Sequence, residues 1–379
     1  MENIKISERL KAARERSGLK LNAVSVKAGI GTSSLSEFEN GVREPSLSQL
    51  RKLADVYHLS LGFFVEGELQ EEPVVLWHSR PEAPHANGIK SRFLELCEQY
   101  RNLEVWCRAR ANPRLPEVKE HLQSSLHAEA LATRVHRELE LGHRPGHSLQ
   151  RVLEEFCGVK IIHFEFDHSC AACTVTADLG ACVLLNSRAP RARRNFDLAH
   201  ELFHLLTWPS FRATHIRSDD GTALAPEEEE RLADVFARNL LIPRDVLIES
   251  LQPYLSGDKL TFDDLFNVAR QFDVEVEELL RRVGDVCSLA PAQVATLVRR
   301  YTETARERHQ VAITLEDRDP VPDRPMRFRA LAMTALHGGE ISQGQFATYM
   351  GMSRRDVIRI MDQKVKERAD DEEVTIAPA

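Results

Sequence analysis

Apolar residues recur at three- and four-residue intervals along most of this chain, and one central stretch departs from that spacing. Leu10 and Ala13 begin a helix that ends at Ser17-Gly18. A second helix runs from about Leu21 to Ala28 and breaks at Gly29. Thr32 is placed to cap a third, over residues 33–39, which stops at Asn40-Gly41. Ser46 caps a fourth, with Leu47, Leu50, Leu53 and Ala54 on one face, and a short fifth follows around Leu61 to Phe64. Two short helices joined by a glycine-containing turn are the helix-turn-helix plan. Residues 66–90, with Pro73, Pro81, Pro84 and Gly88, look like a linker, in which Val74, Val75, Leu76 and Trp77 form a strand or a docking segment. A long helix is expected from about Lys90 to Arg108, with Phe93, Leu96, Tyr100 and Leu103 on one side. It can pack on the rest of the chain or pair two chains.

Leu122, Leu126, Ala130, Leu131 and Val135 mark the next helix, and residues 149–156 another. The period then changes over residues 159–164, 172–176 and 181–186, which read as three strands, with turns at Asp167-His168 and Asp178-Gly180. Residues 182–186 are expected at the edge of this sheet, open to an extended peptide. Helical spacing returns over residues 193–206, residues 230–241 with Pro243 as stop, a helix pair over residues 262–283, and a hairpin over residues 326–364 broken at Gly338-Gly339 and Gly351-Met352-Ser353. Residues 306–325 are charged and proline-rich and expected to be loosely ordered, and residues 370–379 disordered. The fold class is α+β, mostly α. An all-α helix-turn-helix domain is expected over residues 1–66, then a linker and long helix over 67–115. An α+β domain with a small sheet follows over 116–290, and a C-terminal helical region over 291–379.

Composition narrows the classes. The chain has 379 residues, and 42% hydrophobic content is ample for two or three cores. A net charge of -8 argues against a surface coated throughout for nucleic acid. The first unit is nonetheless mildly basic, with Lys5, Arg9, Lys11, Arg14, Arg16, Lys20, Lys27, Arg43, Arg51 and Lys52. No apolar run reaches the length of a membrane span, and Met1, Glu2, Asn3, Ile4 and Lys5 do not open a signal peptide. Seven scattered cysteines suit a reducing cytoplasm. Cys170 and Cys173 have C-x-x-C spacing, but no second such pair exists, so free thiols are expected.

The chemistry concentrates in residues 193–204. They contain His200-Glu201-x-x-His204. On a helix, His200 and His204 are one turn apart, leave the same face and can share one metal ion. Glu201 sits beside them, where it can take a proton from water. Leu198, Leu202, Leu205 and Leu206 supply the apolar surface that would bury this helix. A third ligand is needed. Thr207 and Ser210 stand where the extended motif with glycine and a third histidine would have those residues, which excludes that class. Among Glu227, Glu228, Glu229 and Glu230, which open the next helix, Glu230 can be the ligand and Asp234, one turn on, can accept a hydrogen bond from a ligating imidazole. Four glutamates at a helix start also suit the macrodipole. His215 is a competing ligand. His163, His168 and His215 are candidates for an oxyanion partner, and Arg193 and Arg194 either bind substrate or lie on the surface.

Two resemblances emerge. The residues Asn186 to Arg194, the Phe196-x-Leu198-Ala199-His200-Glu201-x-x-His204 core, and Glu230-x-x-Ala233-Asp234-x-Phe236-Ala237 leading to Pro243 resemble the ImmA/IrrE metallopeptidases over about residues 120–285. The resemblance implies Zn²⁺ held by His200, His204 and Glu230, Glu201 as general base, and a protein substrate, in related systems a helix-turn-helix repressor. Residues 7–65 resemble the XRE/Cro-type DNA-binding domain through Arg9-Leu10, Gly18-Leu19, Ala28-Gly29, residues 36–41, Arg43 to Ser46 and Leu53-Ala54. By that family's plan, residues 32–37 enter the major groove of double-stranded DNA. Thr32, Ser33, Ser34, Ser36 and Glu37 then face bases or phosphates, and Lys27 and Arg43 the backbone. The chain departs from the family at Leu21, where Gln is common, and at Glu37, where a basic residue is common.

The expected function is a DNA-binding transcriptional regulator with a zinc-dependent endopeptidase domain that cleaves a repressor, or itself, on stress or another signal. The alternative is a regulator or antitoxin-like autorepressor whose peptidase-like domain binds or senses without proteolysis. Expected partners are operator DNA and a protein substrate, with no membrane; a homodimer stays open.

Overall fold

The structure is a computed structural model. It describes residues 6–16, 19–57, 61–65, 73–78, 85–109, 115–118, 122–166, 171–176, 178–211, 216–217, 222–255, 259–310, 321–322 and 324–359. The chain divides into two compact units, one formed by residues 1–98 and 111–323, the other by residues 99–110 and 324–379. Among the described residues no helix is long and apolar enough to cross a membrane.

The N-terminal helices are α1 (Ile6–Arg16), α2 (Leu21–Ala28), α3 (Thr32–Glu39), α4 (Leu47–Tyr57) and α5 (Leu61–Val65). They bury their own core of Leu10, Ala13, Val24, Leu35, Phe38, Leu53, Tyr57 and Phe64. Gly29, at φ 63°, ends α2 in the left-handed region, a conformation that glycine adopts without steric cost. The residue before α3 is Gly31, so Thr32 is the first helical residue rather than its cap, and no side chain caps the α3 N-terminus. Ser46 does cap α4: the Gln49 N–H donates to its Oγ at 3.3 Å, and the Ser46 N–H donates to Gln49 Oε1 at 2.9 Å. Arg14 grips Glu39 through two hydrogen bonds of 2.7 and 2.9 Å and ties α1 to α3.

The larger architecture is a six-stranded sheet overlaid by helices. Its strands are β1 (Val75–Trp77), β2 (Lys160–Phe164), β3 (Ala171–Thr176), β4 (Gly180–Asn186), β5 (Ile216–Arg217) and β6 (Thr222–Leu224), in the order β2-β4-β3-β1-β6-β5. The helices are α6 (His85–Trp106), α7 (Ser125–Glu138), α8 (Pro145–Glu155), α9 (Arg191–Phe211), α10 (Glu227–Leu241), α11 (Arg244–Leu251), α12 (Phe262–Phe272), α13 (Val276–Val286) and α14 (Pro291–Thr304). Ser124 caps α7, so its inward stripe is Ala128, Leu131, Ala132 and Val135. Leu126 lies off that stripe and is exposed, against the sequence expectation.

Two further expectations change. β4 pairs in parallel with β2 and antiparallel with β3, so residues 182–186 lie inside the sheet and offer no edge to a peptide. Their run of apolar residues reflects burial on both sides, as in an interior strand. Residues 75–77, expected as a strand or docking segment within a linker, form a strand, β1, but an interior one that pairs with β3 on one side and β6 on the other. Val75, Leu76 and Trp77 are all fully buried. The predicted helix pair over residues 262–283 is present: Thr261 and Asp264 form a capping box for α12, and Asp273, at φ 54°, turns the chain into α13. α14 packs on α13, where Val294 fills the space beside Gly284.

The second unit joins the end of α6 to α15 (Met326–His337) and α16 (Gln343–Met350), followed by a helical segment over residues 354–359. Tyr100 meets Phe328 edge to face at 5.3 Å, and Arg327 pairs with Glu104. α16 ends at Gly351, again left-handed, with φ 64°. Most of residues 311–325, and all of residues 370–379, lie outside the described residues.

Because β1 is interior, a fragment beginning at residue 116 would leave β3 and β6 with unpaired inner edges. Such a fragment is expected to aggregate, whereas one beginning at residue 67 should unfold cooperatively. Thermal melts of the two fragments by circular dichroism check this.

Candidate metal centre

α9 is buried on every side along its centre. Leu198, Ala199, Leu202 and Phe203 are 1% exposed or less, and so are His200, Glu201 and His204. It lies against β3 and β4, with α10 beside it. This helix therefore carries its polar residues inside a core, where each needs a partner.

α10 supplies the partners. Of the four glutamates at its start, Glu227 and Glu228 face solvent, and Glu228 pairs with Arg231 at 2.6 Å. Glu229 and Glu230 both turn inward, one more than the sequence pattern suggests. His200 Nδ1 donates to Asp234 Oδ1 at 3.0 Å, and His204 Nδ1 donates to Glu229 Oε1 at 2.9 Å. The two helices cross antiparallel, so the earlier histidine meets the later carboxylate. Both imidazoles are held with Nε2 pointing the same way.

Three donor groups then converge. His200 Nε2 and His204 Nε2 are 3.1 Å apart. Glu230 Oε2 lies 3.2 Å from His200 Nε2, and Glu230 Oε1 lies 3.5 Å from His204 Nε2. A tetrahedral ion with bonds of about 2.0–2.1 Å sets its donor atoms roughly 3.3 Å apart. Glu230 Oε1 is buried and has no hydrogen-bond partner among the described residues. Two imidazole nitrogens facing each other beside an unsatisfied carboxylate oxygen are what a cation would reconcile, so the residues fit Zn²⁺. The electrostatics agree. Burial opposes charging His200, but Asp234 and Glu230 outweigh it and raise its pKa to about 10. Burial likewise opposes ionising Glu230, yet the imidazoles of His200, His204 and His78 hold it well below the usual carboxylate range.

Glu201 is set apart from this ring of donors. Neither of its carboxylate oxygens has a hydrogen bond of ordinary geometry, and the buried Cys173 thiol faces it. Burial pushes its pKa up, against the pull of His204 and His200. A carboxylate raised in this way is a better proton acceptor near neutral pH.

Two groups at the site were missed from the sequence. Glu229 carries a detectable signal, since it precedes Asp234 by five residues while His204 follows His200 by four. His78, directly after β1, has none: its Nδ1 is 2.6 Å from Glu230 Oε2, and only the fold brings them together. The other candidates fall elsewhere. His163 is buried on β2, where burial and the charge of Arg194 lower its pKa to about 4. His168 and His215 lie outside the described residues, as does Cys170. The six described cysteines are free thiols. Arg193 pairs with Asp197 at 2.8 Å, and Arg194 donates to the Ala189 carbonyl, so both are engaged within the fold.

On the helix-turn-helix, Lys27, Thr32, Ser33 and Arg43 are exposed, while Ser34, Ser36 and Glu37 are half-buried. The Ser36 hydroxyl accepts a 3.3 Å hydrogen bond from Asn40, and the Arg43 guanidinium lies 5.9 Å from the centre of the Phe38 ring. The uncapped N-terminus of α3 points free N–H groups toward any anion placed there.

The fold thus combines a helix-turn-helix with a second, metallopeptidase-like part in which two buried histidines on α9 meet Glu230 of α10 over a mixed sheet. Comparison with known families gives the same two parts: residues 10–64 match the helix-turn-helix model, and residues 155–283 match the IrrE N-terminal-like domain, a peptidase family. Among curated proteins, the HTH-type transcriptional regulator DdrOP3 of Deinococcus deserti is 36% identical over 64 residues. That match covers 17% of this chain, and the chain spans half the length of that relative.

The hydrogen bonds to His200 and His204 generate a prediction. Asp234→Asn and Glu229→Gln should each lower zinc affinity by about 10–100-fold, and Glu201→Gln by no more than a few-fold. Chelator-competition titrations of the purified variants measure this.

Proposed function

We propose that this chain is a DNA-binding transcriptional regulator whose IrrE-like domain is a zinc-dependent endopeptidase, cleaving a repressor, or the chain itself, to switch gene expression on a signal. The observation that carries the reading is the convergence of His200, His204 and Glu230 donors at 3.1 to 3.5 Å beside the buried carboxylate of Glu201. His200, His204 and Glu230 would hold the ion. When bound, zinc supplies Lewis-acid polarisation of a carbonyl and acidification of water.

The chain's own residues do the rest. Asp234 and Glu229 fix the tautomer of the two histidines, keeping each Nε2 lone pair free for the ion. Glu201 accepts a proton from the attacking water on a carboxylate oxygen and returns it to the departing amine nitrogen. Its burial keeps that proton from exchanging with bulk solvent. The helix-turn-helix brings this chemistry to an operator, with Lys27 and Arg43 on phosphates and Thr32, Ser33, Ser34, Ser36 and Glu37 along the groove.

Glu201→Gln separates catalysis from binding. The variant should retain zinc and operator binding, while new protein N-termini seen in cells carrying the wild-type chain should disappear. Peptide mass spectrometry of N-termini in the two strains reads this directly, and a cellular response that survives in the variant would favour a sensor without turnover. Arg43→Ala should weaken footprints at all sequences alike and reduce the slope of log affinity against log salt by about one, measured by salt titration of operator binding.

A further inference from the structure

The described groups of the metal centre differ in how they meet solvent. His200 and His204 are 1% exposed on their side chains, whereas Glu230 is 23% and His78 is 24%. Among these described groups, Glu230 and His78 are the ones that meet solvent. The His78 ring centre is 4.1 Å from that of His200, and His78 Nδ1 is 2.6 Å from Glu230 Oε2. One donor atom from each of His78, His200 and Glu230 lies within 4.8 Å of the others. His78 is therefore gathered with His200 and Glu230 into one cluster of groups able to hold a metal ion.

His78 reaches this place on a rigid support. β1 pairs with strands on both sides and Trp77 is fully buried. The His78 N–H extends that pairing by donating to the Ala171 carbonyl at 3.1 Å. The backbone is thus fixed up to His78, and its imidazole can enter or leave the site by side-chain rotation alone. Three protein ligands leave a zinc ion with one open position, and closed four-ligand sites are structural rather than catalytic.

We propose that His78 is a fourth protein ligand, which in the resting chain occupies the coordination position a peptidase must leave open. The proposal rests on the zinc-site reading above and adds latency to it. His200, His204, Glu230 and His78 close the centre, and a substrate carbonyl engages it only after the His78 imidazole has rotated away. Glu230 favours the closed arrangement, because its Oε2 faces the His78 ring.

Cobalt substitution of the full-length chain tests this without any substrate. The wild-type chain should take up one equivalent of Co²⁺ with a four-coordinate visible spectrum that millimolar azide barely alters. In His78→Ala the spectrum should shift, azide should bind at least ten-fold more tightly, and zinc affinity should fall by about ten-fold or more. His78→Gln keeps a hydrogen bond to Glu230 but is a poor ligand, and should behave like the alanine variant. Cooperative thermal melts of both variants, with wild-type circular dichroism, report that they fold. No cobalt uptake by the wild-type chain would overturn the zinc site and this proposal together. Uptake with identical spectra and azide affinities in wild type and His78→Ala would overturn the proposal alone, as would wild-type behaviour in His78→Gln, which would make His78 a hydrogen-bonding support for Glu230.

Discussion

Burying two histidines against three carboxylates is the constraint around which the IrrE-like part of this chain is built. Ionised groups withdrawn from water cost several kcal/mol each unless they are paired with good geometry. Here each imidazole spends its Nδ1 proton on a carboxylate, Asp234 for His200 and Glu229 for His204. What is left is two lone pairs and the Glu230 carboxylate facing one point. The crossing of α9 and α10 serves this geometry. Moving either helix by one residue would rotate its functional side chains by about 100° and break every pair at once.

The scaffold holds α9 at its beginning as well as along its length. Asn186 closes the end of β4 by accepting from the Phe166 N–H at 3.2 Å and the Arg188 N–H at 2.9 Å. Five residues later α9 starts. Arg191 pairs with Asp273 at 2.6 Å, and Asn195 donates to the Asp273 carbonyl at 3.1 Å. Gly146 permits this close approach, since a side chain there would sit 2.5 Å from the Phe272 carbonyl oxygen. The turn between α12 and α13 therefore acts as a brace for the N-terminal end of the metal helix. That role suits its acidic character better than contact with DNA, because Asp273 and Glu275 face Arg191 and Arg193.

Much of this was legible in the residues. His200 and His204 declare themselves by spacing, and the stripe of Leu232, Phe236 and Leu240 places α10 against a core. The turns at Gly29 and Asn40-Gly41 mark the helix-turn-helix. What resisted reading is tertiary. Strand order is not encoded in period two, so residues 182–186 looked like an edge when they are interior. Glu229 and Glu230 are neighbours in a run of four, and only the facing helix decides which of the four turn inward. β1 can be read as a strand from its apolar run, but not its interior place in the sheet, because its pairing partners lie about a hundred residues or more away in sequence. His78 could not be found by any local signal for the same reason.

The position of β1 bears on how the two halves of the chain relate as a sequence. The segment that leaves α5 becomes, within ten residues, an interior strand of the sheet beneath the metal helix. The family match at residues 155–283 therefore omits a strand on which this sheet depends. An arrangement of two independent modules on a flexible tether would place nothing essential in the connecting stretch. Here that stretch carries both a central strand and the imidazole nearest the open side of the metal centre. β1 thus belongs to the IrrE-like domain, whose start lies before residue 75 rather than near residue 116.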